Sequence, residues 1–205
     1  MSLMEVIKSC RVLPVVVAND VERSVTLAKV LARAGMPAIE LTLRTDNALA
    51  CISAVKEQVP EILVAAGTVT NAAELASAVQ AGADFVLSPG ISEEIIRAAS
   101  ARDVLLIPGV ATASEIMLGR SRQLNFFKLF PAEAIGGIPM IKSLAGPFPD
   151  VQFCPTGGLN PDNFREYLAL DCVTCVGGSW MVKAEMIENE QWDEIESLAR
   201  AAMSA

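Results

Sequence analysis

Apolar, β-branched runs alternate with amphipathic stretches along the whole chain. Residues 12–18 are an unbroken apolar run and read as a first strand. Residues 21–34 carry apolar side chains at helical spacing and stop at Gly35, a C-terminal signal. The alternation then repeats. Further strands are expected at 38–43, 62–66, 85–87, 104–107, 125–129, 151–154 and 172–176. Helices are expected at 47–58, 72–81, 93–101, about 114–118, through 141–144, from Asn160-Pro161 onward, and at 192–203. Asn71 and Ser92 have side chains that cap a helix start, and Pro161 suits a first helical position. One more amphipathic turn, 3–10, precedes the first strand.

Eight strand–helix units with no break in composition predict one domain over residues 1–205. The expected architecture is α/β, a single (β/α)8 TIM barrel with an extra N-terminal helix. A doubly wound open sheet is the alternative. It wants a Gly-x-Gly-x-x-Gly turn after the first strand, and none follows Val16.

One strand breaks the apolar pattern. In Asn125-Phe126-Phe127-Lys128-Leu129-Phe130-Pro131-Ala132-Glu133 a single charge sits among large apolar residues. A lysine so placed is costly unless it is paired, neutral or used. Burial favours the neutral, nucleophilic amine, which can form a Schiff base with a ketone. The alternative is a strand-end lysine that snorkels to water. Lys8, Lys29, Lys56, Lys142 and Lys183 all lie in helical or helix-edge segments with polar neighbours.

In a barrel, chemistry gathers where strands end. Period-two alternation in Ala38-Ile39-Glu40-Leu41-Thr42-Leu43-Arg44 puts Glu40, Thr42 and Arg44 on one face. An interior glutamate can act as acid and base in turn, and an arginine can grip a carboxylate bidentately. A structural Glu–Arg ion pair is the plain alternative. Gly67 and Thr68 end the third strand, where a ligand can approach the backbone and find a hydroxyl. Ser88-Pro89-Gly90 and Pro108-Gly109 read as tight loops, with Pro89 a candidate pocket wall. Thr156-Gly157-Gly158 and Gly177-Gly178-Ser179 follow the last two strands, where paired glycines expose amides that can cradle a phosphate. An amine nucleophile, a carboxylate and an arginine clamp suit a 2-keto acid, and the glycine loops suit a phosphate at its other end.

Composition narrows the chemistry. The chain has no histidine, which removes Ser-His-Asp and Cys-His nucleophiles and histidine bases, and argues against zinc hydrolysis. The five cysteines are odd in number in a 205-residue chain, which argues against a disulfide framework. Cys172-Val173-Thr174-Cys175 lies in a β-branched run, unlike a redox pair at a helix start. A net charge of −8 argues against a nucleic-acid or anionic-membrane partner. No apolar run is long enough to span a bilayer, and no signal-peptide pattern opens the chain. Met1-Ser2-Leu3 ahead of Met4 is compatible with an expression leader. A reduced, cytoplasmic location is expected.

These residues carry a resemblance over roughly residues 6–202. The blocks Ile39-Glu40-Leu41-Thr42-Leu43-Arg44-Thr45, Gly67-Thr68-Val69, Ser88-Pro89-Gly90, Phe127 to Glu133, Phe153-Cys154-Pro155-Thr156-Gly157-Gly158 and Gly177-Gly178-Ser179-Trp180 closely resemble the 2-keto-3-deoxy-6-phosphogluconate (KDPG) and 4-hydroxy-2-oxoglutarate (KHG) aldolases. The resemblance implies a homotrimer of (β/α)8 barrels and a Schiff-base aldolase with no metal and no cofactor. It matches Lys128 to the imine-forming lysine and Glu40 to the general acid/base. It matches Arg44 and Thr68 to the pyruvyl carboxylate site, and Pro89 and Phe130 to pocket walls. Gly157, Gly158, Gly178 and Ser179 match the phosphate site, and Thr156 looks like the form acting on the gluconate-derived epimer. Leu129, where some relatives have an aromatic residue, is the departure. Three rivals share parts of this pattern: a sugar-phosphate epimerase or isomerase, a non-catalytic phosphosugar-binding protein, and a metal-dependent pyruvate aldolase.

Overall fold

The computed structural model describes residues 3–204. Met1, Ser2 and Ala205 lie outside the described residues, and with them most of the Met1-Ser2-Leu3 opening. Strands and helices alternate. Helix α1 (Leu3–Ser9) is followed by β1 (Val12–Val16), α2 (Val21–Arg33), β2 (Ala38–Thr42), α3 (Ala48–Gln58), β3 (Leu63–Gly67), α4 (Ala72–Gln80), β4 (Phe85–Leu87) and α5 (Glu93–Ser100). The chain continues through β5 (Leu105–Ile107), β6 (Gly109–Val110), α6 (Ala113–Arg120), β7 (Phe126–Leu129), a 3-10 turn (Glu133–Ile135) and α7 (Gly137–Ala145). It ends with β8 (Gln152–Pro155), α8 (Phe164–Leu168), β9 (Val176–Gly178), α9 (Ala184–Glu188) and α10 (Trp192–Met203).

All strand pairings are parallel. One sheet has the order β5-β4-β3-β2-β1-β9 and the other β6-β7-β8. Single bridges pair Phe153 with Val173 and Thr156 with Gly177, linking β8 to the chain around β9. The result is a curled parallel sheet with helices between its strands.

The helix starts follow their side chains. Asn71 accepts a hydrogen bond from the Glu74 amide and Ser92 from that of Ile95, while Thr112 and Glu115 form a reciprocal capping box on α6. Period-two alternation sorts the strands into two cores. Val12, Ile39, Leu41, Phe127, Leu129 and Phe153 pack with the helices. Leu13, Ala38, Ala65, Phe85, Phe126, Cys154 and Cys175 form a second core, which Ile7 and Cys10 from the α1 end join.

Three expectations shift. Pro108-Gly109 is no loop: the Pro108 carbonyl accepts the Lys128 amide at 2.9 Å, Gly109 pairs with Lys128, and the fifth strand runs on as β6. The last strand is Val176–Gly178: Val173 N–H donates to Leu170 O at 2.9 Å and closes a turn, Val173 then makes only a single bridge to Phe153, and regular pairing with β1 begins at Val176. Helix α8 begins at Phe164, since Asn160 Oδ1 accepts the Asp162 amide at 2.8 Å and locks Pro161 into a turn. Helix α9 was not anticipated. Among the described residues no helix is long and apolar enough to cross a membrane.

Candidate active site

Strand β7 delivers Lys128 to the same region that Glu40 reaches from β2. Lys128 is 5% exposed and Glu40 0%, whereas Lys8, Lys29, Lys142 and Lys183 are exposed and Lys56 is paired with Asp84. The Lys128 ammonium donates to Glu40 Oε1 at 3.0 Å. The second carboxylate oxygen, Oε2, is buried with no hydrogen-bond partner among the described residues. Such a pair keeps a proton exchangeable between amine and carboxylate and leaves one oxygen for a third party.

Gly67 explains why Glu40 fits. A Cβ at Gly67 would lie 2.7 Å from Glu40 Cγ and 2.8 Å from Cδ. The backbone approach expected at this glycine is made by the protein's own glutamate. The next residue, Thr68, has φ 60°, a left-handed conformation rare for a β-branched side chain. Its hydroxyl oxygen accepts from Arg44 Nε at 3.1 Å. Arg44 itself is exposed, beyond the end of β2.

Arg44, Phe130, Thr156, Gly157, Gly158, Gly178 and Ser179 share the lining of one cleft of about 290 Å³. Lys128 and Glu40 are not among the lining residues; the Lys128 ammonium lies 5.6 Å from the centre of the ring of Phe130, which does line the cleft. Gly157 and Gly158 both have left-handed φ, 100° and 84°, a conformation that residues with a β-carbon resist. Pro89 is exposed and is not among the cleft's lining residues; its backbone packs where a Cβ on Gly109 would stand. Gly109 in turn pairs with Lys128.

Sequence reasoning missed Val15, Val17 and Leu159, which also line the cleft, as does Gly177 of the expected glycine pair. Val15 and Val17 alternate correctly along the first strand, but an all-apolar run contains no polar residue to mark its inward face. Val15 pairs with Glu40 in register. Gly177 has to be small because Thr156 Cγ2 lies 2.9 Å from where its Cβ would be.

The five cysteines are all free thiols. Cys154 engages Cys175 and pushes its ionisation up; burial, Cys10 and Glu40 act in the same direction. Burial, with Cys154 nearby, likewise raises Cys10. These neutral thiols belong to the core beneath the Lys128–Glu40 pair. Cys172, the other half of the C-x-x-C, is only half-buried. Among the described residues no group of three or more acidic, cysteine or histidine side chains is arranged to hold a metal ion.

The model of the KDPG and KHG aldolase family matches residues 3–198. The chain belongs to the KDPG and KHG aldolase family. Within that family it is 48% identical over 192 residues to the KHG/KDPG aldolase of Escherichia coli K12, covering 94% of this chain and 90% of the relative. A crystal structure of KDPG aldolase from Legionella pneumophila, with pyruvate captured at low pH as a covalent carbinolamine intermediate, superposes with a TM-score of 0.95. It is 42% identical and covers 98% of both chains. The aldolase of Zymomonas mobilis ZM4, solved with 3-phosphoglycerate, superposes at 0.92 with 41% identity, covering 97% of this chain and 93% of that one.

Proposed function

We propose that this protein is a class I aldolase that cleaves KDPG to pyruvate and glyceraldehyde 3-phosphate, and KHG to pyruvate and glyoxylate. The observation that carries the reading is the buried Lys128–Glu40 pair, 3.0 Å apart, with Lys128 5.6 Å from the ring of Phe130, which lines a cleft together with Arg44 and two glycine loops. Membership of the KDPG and KHG aldolase family supports it.

In this mechanism Arg44 and Thr68 bind the substrate carboxylate and bring the C2 ketone to Lys128. Glu40 accepts a proton from the ammonium, and the freed amine adds to C2. Glu40 returns a proton to the carbinolamine hydroxyl, water leaves, and a protonated imine forms. Glu40 then takes the C4 hydroxyl proton. The C3–C4 bond breaks, its electrons enter the imine as an enamine, and the aldehyde leaves. Protonation at C3 and hydrolysis release pyruvate and restore Lys128. Phe130 and Pro89 wall the pocket, and Thr156 faces the hydroxyls that distinguish epimers. Gly157, Gly158, Gly178 and Ser179 hold the phosphate through amides and a hydroxyl. No metal or cofactor takes part.

We further infer that residues 1–205 form one domain and that its curled sheet closes as an eight-stranded (β/α)8 barrel. Two features favour closure: β5 continues into β6 through Pro108, and the Phe153–Val173 and Thr156–Gly177 bridges link the free edges. By the same family reading the protein is a cytoplasmic homotrimer, which sedimentation equilibrium tests.

Trapping tests the chemistry. The protein is mixed with pyruvate, reduced with borohydride, and mapped by mass spectrometry. One reduced adduct on the peptide containing Lys128, lost in Lys128→Ala, is expected. Pyruvate binding with no adduct would remove the Schiff-base mechanism and bring forward a metal-dependent or binding-only protein.

A further inference from the structure

Beyond β7 the chain does not simply leave the site. The Ala132 amide donates to Thr156 O at 2.8 Å and the Glu133 amide to Gly157 O at 3.1 Å. The segment after the lysine strand is therefore fastened, backbone to backbone, onto the loop after β8. The side chain of Glu133 then lies across Gly158. A Cβ on Gly158 would stand 2.5 Å from Glu133 Cβ and 2.6 Å from Cγ.

Glu133 is exposed, yet its carboxylate is held: Oε1 accepts a hydrogen bond from the hydroxyl of Tyr167 on α8. Tyr167 is the chain's single tyrosine and is 1% exposed. Gly137 makes room for the junction, since a Cβ there would meet Tyr167 Oη at 2.8 Å and Glu133 Oε1 at 3.2 Å. Burial first, and the Glu133 carboxylate second, push the tyrosine hydroxyl far above its usual range, so it remains a donor.

Two consequences converge on the same loop. The tie braces the Gly157–Gly158 loop, where both glycines have left-handed φ and Asn163 Nδ2 donates to Gly158 O at 3.4 Å. It also pins an anionic side chain that would otherwise be free to swing beside a bound phosphate, where like charge is repulsive. Neither consequence touches the imine chemistry at Lys128.

We propose that the Tyr167–Glu133 hydrogen bond is a latch that positions the Gly157–Gly158 loop for the substrate's phosphate, making both residues positioning residues for phosphorylated substrates. This rests on the phosphate role assigned above to that loop.

The test compares Tyr167→Phe, Glu133→Leu and Glu133→Gln with wild type on KDPG and on phosphate-free KHG. Tyr167→Phe and Glu133→Leu are expected to raise KM for KDPG about tenfold, the size of one lost charge-assisted hydrogen bond. Their kcat on KDPG and both constants on KHG stay within about twofold of wild type. Glu133→Gln, whose amide oxygen still accepts, keeps KM for KDPG near the wild-type value. Should Tyr167→Phe fold poorly, Glu133→Leu alters an exposed position and gives the same readout. Equal losses on both substrates, or an unchanged KM for KDPG, overturn the latch. If the wild type itself shows no preference for the phosphorylated substrate and inorganic phosphate does not compete, the phosphate site fails and the latch with it, a pattern distinct from failure of the latch alone.

Discussion

Gly67→Ala offers a sharp test of the site because it perturbs Glu40 without altering any reacting group. A new Cβ would overlap Glu40 Oε1 and lie 2.7 Å from Cγ, and bringing Cγ alone to an ordinary contact of 3.4 Å means a shift of at least about 0.7 Å. Glu40 is fully buried and held by Lys128 at 3.0 Å, so a shift of that size stretches the bond to roughly 3.7 Å, beyond hydrogen-bonding range. Overpacking of this kind costs ~1–3 kcal/mol. Against a typical total of ~5–15 kcal/mol the protein stays folded. Catalysis is more sensitive, since a misplacement near 1 Å costs on the order of 100-fold. The variant is therefore expected to lose about two orders of magnitude in kcat while its urea unfolding midpoint falls only modestly. Pyruvate release coupled to lactate dehydrogenase measures the first and circular dichroism the second. Gly90→Ala is the control, because nothing lies within 4 Å of a Cβ there. A folded Gly67→Ala protein within about threefold of wild type in kcat/KM would refute the argument that Glu40 must sit where it does.

Other perturbations separate the roles further. Glu40→Gln keeps the shape but removes the proton carrier, so kcat on KDPG should fall ~100-fold or more; near-normal turnover would remove Glu40 from proton transfer. Ser179→Ala should weaken KDPG binding while sparing KHG, and matched losses on both would detach Ser179 from the phosphate. Alkaline pH probes the thiol core. Burial holds the Cys10 proton on in the folded state, whereas an unfolded thiol ionises near ~8.5. The folded state then binds more protons above that value, so this contribution is fully present below it and is lost as pH rises. Urea midpoints of wild type should fall more steeply above pH ~9 than those of Cys10→Ala, and parallel curves would count against it.

Much of this was legible because local chemistry and tertiary role agree. Lys128 announces itself by standing between Phe127 and Leu129, which the structure buries at 0% each. Glu40 follows from period two on its strand, and Arg44 lies two residues past the end of that strand. What was not legible depends on neighbours distant in sequence. Nothing in Pro108-Gly109 says that the strand continues, because that is decided by hydrogen bonds to Lys128, about 20 residues away. Val15 and Val17 carry no polar mark in an apolar run. Gly67 was read as room for a ligand, and only the packed structure assigns that room to Glu40. The Glu133–Tyr167 contact joins residues 34 positions apart and has no sequence period at all.

The placement of the charged pair follows from the same division that builds the core. On the strands that carry the site, one set of positions is apolar and packs with the helices, as Ile39, Leu41, Phe127 and Leu129 do. The opposite set is apolar at its lower level, with Ala38, Phe126 and Cys154, and changes character two residues further on, at Glu40, Lys128 and Thr156. An ion pair above an apolar floor contributes little to stability, since desolvating both charges costs several kcal/mol (~20 kcal/mol per ion in the ideal limit) and their attraction only roughly returns it. Removing either partner alone is worse, by ~3–5 kcal/mol, because an uncompensated charge remains. A fold under selection for stability alone would do as well with apolar side chains of the same volume. The pair, with Glu40 Oε2 left without a partner among the described residues, makes physical sense as the chemistry proposed above, in which burial strengthens charge-assisted hydrogen bonds and the spare oxygen is left for a substrate.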